Sequence, residues 1–493
     1  MAFSQLDSTF GTAGMVTITG SSLNGIKILD DGKILVLMRK NNVASLVRFM
    51  SDGSVDNTFV SQNLDIAGVT SSTPLSMAVQ SDGKIVAMID TNMGSTSNTL
   101  VRFNTDGTID SLFGNNGYVF SAFLQGNNVA YNVQVAIDPV SGNILITGNI
   151  FISSPNTNMP IIACYNSSGV LNTAFYGSGI RGWAPSEHKF ITNLAVDTSG
   201  KIIVVGTRGY SSYVADGSAT DTWMMRLNSD ASTDTTFSGD GIFSTDVGSF
   251  YYYNFDKANS LYLRENGSVL VIGQTGSYIS NSKFMVFEVT TDGNLTNTAM
   301  PLAYNCPGST YIGKPYEVVR DNDGKFILGG SVAADSVSSN FGILMLNPDY
   351  SIHTAFGTNG WVSYQNQSYN YGLRAIAVQP ADNKIVVLGS QSGTQVVIAR
   401  YLNTTTTALN TEEHSTTNRI MIFPNPANND LNVLINDNSV LDSTYNIVDV
   451  NGRVLVQGVL TNVTSQINIE NLSKGIYFLK FGKQNLTQKF IKQ

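Results

Sequence analysis

The sequence predicts an all-β chain: repeated four-stranded units closed into a ring, then a small β-sandwich at the C-terminus. Three observations predict it. Charged residues make up only 13% of the 493 residues, while Gly, Ser, Thr and Asn are abundant between short Val/Ile/Leu runs, the composition of many strands joined by tight turns. One turn motif recurs seven times over the first 400 residues, the mark of a repeat architecture. After a polar stretch near residue 410 the pattern changes and about seven short strands crowd into the last 74 residues, as a small antiparallel sandwich requires.

The recurring turn is Asp-Gly-Lys before an apolar run. It reads Asp31-Gly32-Lys33 before Ile34-Leu35-Val36-Leu37, then Asp82-Gly83-Lys84, Ser141-Gly142-Asn143, Ser199-Gly200-Lys201, Asn266-Gly267-Ser268, Asp323-Gly324-Lys325 and Asp382-Asn383-Lys384. Such pairs between apolar runs signal a hairpin, expected as a type I′ turn with two left-handed residues. The run that follows is nearly all apolar, as in Ile202-Ile203-Val204-Val205, so it reads as a strand covered on both faces. Five of the seven runs place Gly at one fixed position, namely Gly148, Gly206, Gly273, Gly330 and Gly389. A glycine fixed within a strand marks a bulge or a close backbone approach.

A second motif alternates with the first. Leu46-Val47-Arg48-Phe49 leads to Asp52-Gly53, Asp56 and Phe59; Leu100-Val101-Arg102-Phe103 leads to Asp106-Gly107, Asp110 and Phe113-Gly114. Each unit then holds four strands. The last unit, ending Ala399-Arg400-Tyr401, lacks its Asp-Gly and Phe-Gly elements, and the chain instead opens with Leu6-Asp7-Ser8-Thr9-Phe10-Gly11. A repeat split between the two ends suits a closed ring, in which the N-terminal strand completes the last unit and removes an open edge. An open solenoid would carry capping repeats instead. The expectation is therefore a seven-bladed β-propeller over residues 1–403. These units resemble the delta-60 repeat family of bacterial proteins, which shares the Asp-Gly-Lys-Ile and Leu-Asp-x-x-Phe-Gly elements, over roughly residues 5 to 403.

Residues 404–419 are polar and aperiodic, and read as a flexible linker. Residues 420–493 form the expected sandwich, Ig-like in build. Pro424-Asn425-Pro426 follows its first strand, a turn centres on Gly452, Gly475-Ile476-Tyr477 opens a late strand, and the terminal strand carries Lys489 and Lys492. In order and position these features resemble the type A sorting domain of the type IX secretion system of Bacteroidota. The resemblance implies passage through the periplasm and recognition of residues 420–493 by the outer-membrane translocon and its cargo-shuttle protein, with Pro424, Asn425, Pro426, Gly452, Gly475, Tyr477, Lys489 and Lys492 as signal residues. It also implies delivery outside the cell or onto its surface. No signal peptide stands before Gln5, so one is expected to have been removed.

Composition narrows the partners. A net charge of −8 disfavours a nucleic-acid partner, which calls for a basic face. No apolar run is long enough to span a bilayer as a helix. The three histidines, His188, His353 and His414, show no metal-ligand spacing, and Cys164 and Cys306 fall in different repeats, where two buried thiols are the plainer reading. No catalytic, cofactor or metal residue is assigned, and the chain is expected not to be an enzyme. The recurring Asp52, Asp56, Asp106, Asp110 and Asp234 could hold calcium, but repetition favours turn closure and pairing with Arg48, Arg102, Arg226 and Arg400. Asp110-Ser111-Leu112 resembles an O-glycosylation acceptor of Bacteroidota. Phe250, Tyr251, Tyr252, Tyr253 and Phe255 fall in the longest repeat spacing and form a candidate surface for a glycan or surface-protein ligand. The expected role is an exported propeller that binds or adheres. A hydrolase or lyase working in the propeller channel, or a spacer without ligand, stand as alternatives.

Overall fold

The computed structural model describes residues 6–60, 62–64, 69–91, 98–120, 130–152, 157–183, 189–209, 220–245, 256–276, 282–296, 301–306, 312–333, 340–364, 371–391, 394–403, 420–435, 443–450, 452–481 and 487–493. The chain divides into two compact units, Met1–Thr405 and Thr406–Gln493. The described residues are strands and turns, with one short 3-10 turn at Phe175–Gly177.

In the first unit the described strands form seven four-stranded antiparallel sheets. Their first strands are Ser21–Ile28, Thr73–Val79, Ala130–Ile137, Lys189–Val196, Lys257–Leu263, Ile312–Arg320 and Tyr371–Val378. Each lies beside the next, and the last lies beside the first. The ring is closed, and these seven strands are its inner wall. The runs after the repeated turns form the second strands, and Phe326–Ala333 and Val269–Thr275 are buried along their whole length, as a strand packed between neighbouring blades must be.

The repeated turn differs from the expected type I′. Gly32, Gly83, Gly200, Gly267 and Gly324 have φ between +80° and +84°, and Asn383 has +61°, but the Asp or its equivalent before each is not left-handed. In the first copy Gly32 N–H donates to Leu29 O and Leu29 N–H to Lys33 O, enclosing three residues. This is a type I turn followed by one left-handed residue. The Asp side chain serves the turn by accepting the Lys33 N–H at 3.1 Å.

The fixed strand glycine has a steric cause. In each first strand the ladder slips by at least one residue, for instance between Ile191 and Asn193 and between Pro315 and Glu317. Gly206 lies opposite this bulge, and a Cβ there would stand 1.7 Å from Phe190 O. The bulge bends the inner strand around the bore.

The second motif fastens blade to blade. Arg48, Arg102, Arg226 and Arg400 each lie over a ring, those of Phe59, Phe113, Phe237 and Phe10, at 4.5–4.8 Å. Each also pairs with a carboxylate, Asp56, Asp110, Asp234 and Asp7, at 2.7–2.8 Å. Each donates onward to a carbonyl within the Asp-Gly turn of the next blade or its equivalent, at Thr105, Ser167, Thr291 and Ser51. The ring's seam uses the same parts from opposite ends of the chain. Met15–Thr19 pairs with Gln395–Tyr401, Asp7 N–H donates to Arg400 O at 2.8 Å, and Lys384 adds a second cation to Asp7 at 2.9 Å. Burial alone would raise the Asp7 carboxyl, but the Thr9 hydroxyl, Lys384 and Arg400 hold it well below the ordinary range. Hydrogen bonding from Thr58 and pairing with Arg48 hold Asp56 at about 2.

The second unit packs a three-stranded sheet, Ile420–Phe423, Asp430–Ile435 and Thr464–Asn468, on a four-stranded one, Val454–Leu460, Ser443–Val448, Gly475–Phe481 and Thr487–Lys492. Leu431, Val433, Ile435, Ile447, Leu479, Phe481 and Phe490 fill the space between.

Removing one partner of a buried ion pair costs about 3–5 kcal/mol, and of an exposed one under about 1 kcal/mol. Arg400→Met is therefore expected to destabilise by about 3 kcal/mol or more and Lys33→Met by under about 1 kcal/mol, measured by urea unfolding. Because the paired carboxyls titrate below their ordinary 3.8, their stabilisation is intact above that pH and fades as pH falls toward 2. Gly206→Ala should cost about 2 kcal/mol or more, since the clash is with rigid backbone; a neutral result would remove the bulge argument.

Candidate functional site

The seven inner strands surround a bore of about 840 Å³. Because this face packs against no other sheet, its side chains are free of the packing rule that governs the rest of each blade. Most are small or apolar. The charged exceptions lie on four strands: Lys27, Lys257, Lys314 with Glu317 and the neighbouring Tyr316, and Arg374. Lys257 and Lys314 occupy the same rung of neighbouring strands, opposite Gln274 and Ser331. Lys314 Nζ and the Arg374 guanidinium both lie over the Tyr316 ring, at 5.1 and 5.0 Å.

Electrostatics sets these groups apart from the repeat. Among the described residues no carboxylate pairs with Lys257, Lys314 or Arg374, whereas Lys84, Lys201 and Lys384 each meet an Asp at 2.7–3.0 Å. Burial, reinforced by repulsion from Lys314, pulls the Lys257 ammonium down to about 8. Glu317 accepts the Ile376 N–H at 3.0 Å. It is half-buried in the wall, and a narrow bore does not restore bulk solvation. Its carboxyl is accordingly pushed above the ordinary range, with Lys27 and the Ile376 amide opposing the rise. Asn132, Gln134, Asn193, Asn259 and Ser260 add neutral polar groups to the wall.

The residues singled out from sequence fall elsewhere. Phe250, Tyr251, Tyr252, Tyr253 and Phe255 lie outside the described residues. The five recurring carboxylates are engaged within the fold. Asp52 and Asp106 close their turns through Ser54 and Thr108, and Asp56, Asp110 and Asp234 pair with arginine. Cys164 and Cys306 are both buried. His353 Nδ1 meets Asn347 Oδ1 at 2.8 Å; His188, His414 and the 404–419 stretch lie outside the described residues. Inspection of the sequence missed the bore cations. A signal existed: Lys257 and Lys314 each stand eleven residues before the third residue of the repeated turn, where the ladder geometry places an inner-strand residue.

In the C-terminal unit the expected signal residues have distinct structural jobs. The Asn425 side chain donates to Lys489 O and accepts the Ile491 N–H, both at 3.0 Å, tying the Pro424-Asn425-Pro426 loop to the terminal strand. Ala427 extends that contact through the Ile491 carbonyl and the Gln493 N–H. Tyr477 stacks on Phe490 at 5.7 Å and its hydroxyl donates to Ser473 O. Gly452 has φ +81° in its turn, and Gly475 begins a strand opposite Lys492. Lys492 is buried, while Lys489, Pro424, Asn425 and Pro426 are exposed.

Residues 421–493 match the family described as "Secretion system C-terminal sorting domain". Residues 29–59, 80–113 and 198–237 match "Domain of unknown function (DUF5122) beta-propeller". The chain is a β-propeller with a type IX sorting tail. No curated protein matches its sequence. Solved structures similar to this tailed propeller include PorZ, described as an essential bacterial surface component of the type-IX secretion system of Porphyromonas gingivalis. It is 14% identical over 96% of this chain and 59% of that one, with a TM-score of 0.41. This chain thus spans about three-fifths of the PorZ chain's length. Drosophila Semaphorin 2a is 7% identical over 97% of both chains, TM-score 0.47. An α-L-arabinofuranosidase of Fusarium graminearum is 12% identical over 67% of this chain and 92% of that one, TM-score 0.40. The sorting tail implies export to the cell surface or the extracellular space. No helix among the described residues is long and apolar enough to cross a membrane.

The unpaired Lys257 yields a signed prediction. Its folded value near 8 lies below the ordinary 10.5, so folding is penalised fully below pH 8 and not at all above about 10.5. Lys257→Met should raise the propeller's melting temperature near neutral pH, and the gain should shrink as pH climbs between those values. An equal gain at every pH would show that Lys257 is not strained.

Proposed function

We propose that this protein is a type IX cargo whose propeller works outside the cell as a binding module, with the bore as its ligand site. The observation that carries the export half is the match of nearly the whole second unit to the sorting domain. The bore's cations support the binding half: Lys257, Lys314 and Arg374 meet no carboxylate among the described residues, burial and Lys314 depress the Lys257 ammonium, and sites kept at a cost to stability are those that function requires. Within the sorting domain, the exposed Pro424-Asn425-Pro426 loop and Lys489 are the parts the translocon and shuttle protein would touch, while Asn425, Tyr477, Gly452, Gly475 and buried Lys492 hold the shape that is read. With a tail charge near zero, six basic residues against five acidic, recognition rests on shape and strand edges more than on charge.

A second reading has one observation in its favour. A carboxyl raised by burial, Glu317, and an ammonium lowered by burial, Lys257, share the bore, and such pairs occur in acid–base catalysis. Turnover of a glycan incubated with the full chain, abolished by Glu317→Gln, would favour it over binding alone.

Deleting residues 420–493 is expected to keep the chain inside a host that has a type IX system, and fusing them to a foreign propeller should send that propeller out. The assay is quantitative immunoblotting of cells and medium. A truncated chain reaching the medium at normal levels would overturn the export assignment.

A further inference from the structure

We propose that the bore binds an oligoanion, a small molecule or chain end bearing at least two negatively charged groups, held by Lys257, Lys314 and Arg374. The inference rests on the reading of the bore as the ligand site and names the chemical class of its occupant. Four lines of geometry carry it.

The first is a contrast of sign. The chain carries a net charge of −8, yet the bore wall holds Lys27, Lys257, Lys314 and Arg374 against the single carboxylate of Glu317. A cavity with low-dielectric walls concentrates such a field and draws in ions of opposite sign. The second is the location of the excess. Glu317 interacts electrostatically with Lys27, which leaves the other three cations without a counter-charge among the described residues.

The third is preorganisation. Lys257 and Lys314 stand on one rung of adjacent strands, close enough to repel each other. Tyr316 lies under both Lys314 and Arg374 and gathers their charges over one ring. Asn259 anchors to the next strand by donating to Pro315 O at 2.8 Å, fixing the wall between Lys257 and Lys314. One monovalent anion cannot answer three gathered cations, whereas two or more linked anionic groups can, through charge-assisted hydrogen bonds. The fourth is size. A bore of about 840 Å³ lies within the range of small-ligand sites, about 300–1,000 Å³. Asn132, Gln134, Asn193 and Ser260 would meet the ligand's neutral hydroxyls.

The test is isothermal titration of the full chain with four probes: a triuronate, a sulfated disaccharide, tripolyphosphate and neutral maltotriose. At least one charged probe should saturate at one site per chain, and added salt should weaken it. Lys257→Met/Lys314→Met should weaken it about tenfold or more, the lower end of measured close charge–charge couplings; Arg374→Met should also weaken it. Lys33→Met, which alters an exposed turn pair, should leave it unchanged. Thermal melts confirm that each variant is folded. The charged probe that binds most tightly assigns the anionic group as carboxylate, sulfate or phosphate. Saturable binding of maltotriose that ignores both salt and the lysine changes would overturn the oligoanion while leaving the bore a ligand site. Absence of saturable binding by all four probes would overturn both.

Discussion

The architecture depends on an arginine held between a carboxylate and an aromatic ring while it donates to the neighbouring blade. Burying a guanidinium is costly unless its charge and its donors are all answered. Here Asp answers the charge, the Phe ring covers one face, and a carbonyl of the next blade takes a further donor, as at Arg226 with Asp234, Phe237 and Thr291. No single blade can complete the set. The interaction therefore exists only when blades stand side by side, and it couples strand pairing within a blade to packing between blades. At the seam it couples the two ends of the propeller, because Asp7 and Phe10 come from one and Arg400 from the other.

Blades that depart from the motif show what the position demands. In the fifth blade Glu288 replaces the arginine, and the cation comes instead from Arg264, which bonds Glu288 at 3.0 Å. Tyr350 of the sixth blade, left-handed at +67° where the fourth has Ala231 and the others Gly, gives its hydroxyl to Glu288 and stacks on Phe326 at 5.5 Å. The charges have exchanged places and the contact still crosses a blade boundary. In the third blade Cys164 faces Asn172 with neutral chemistry, and Arg181 from the outer strand reaches Ala231 and Thr233 of the fourth blade. The requirement is a satisfied polar bridge between blades, not one particular residue pair.

This explains why the fold was legible in the sequence. Seven turns, the fixed glycine and the split repeat each follow from a local rule: a left-handed position, a bulge that leaves no room for a Cβ, an edge that must be paired. The turn type was misread because Asp was credited with a left-handed conformation, when its side chain closes the turn from an ordinary one. The bore was illegible for the opposite reason. An inner-strand side chain facing the bore is under no packing constraint, so the shared offset of Lys257 and Lys314 from their turns is a trace in two units only, and their nearness exists only once two strands 57 residues apart stand side by side. The aromatic cluster at Phe250–Phe255 drew notice as a dense run, yet density along the chain carries no information about which blade surface it shares.

Repetition and exception thus divide the propeller's residues by role. Whatever recurs at the blade period, Asp56 with Arg48 or Gly206 with its bulge, is explained by the blade and needs no ligand. Whatever breaks the period while carrying charge must be explained by something else. Glu288 breaks it and is answered within the fold by Arg264. Lys257, Lys314 and Arg374 break it and meet no carboxylate among the described residues. At Lys257 the unanswered cation in a partly buried wall lowers the stability of the ring, and the apolar or amide side chains that fill the same wall on other strands show that the backbone does not call for it. The proposed oligoanion would supply these three residues with the counter-charge that the fold gives to their repeated counterparts.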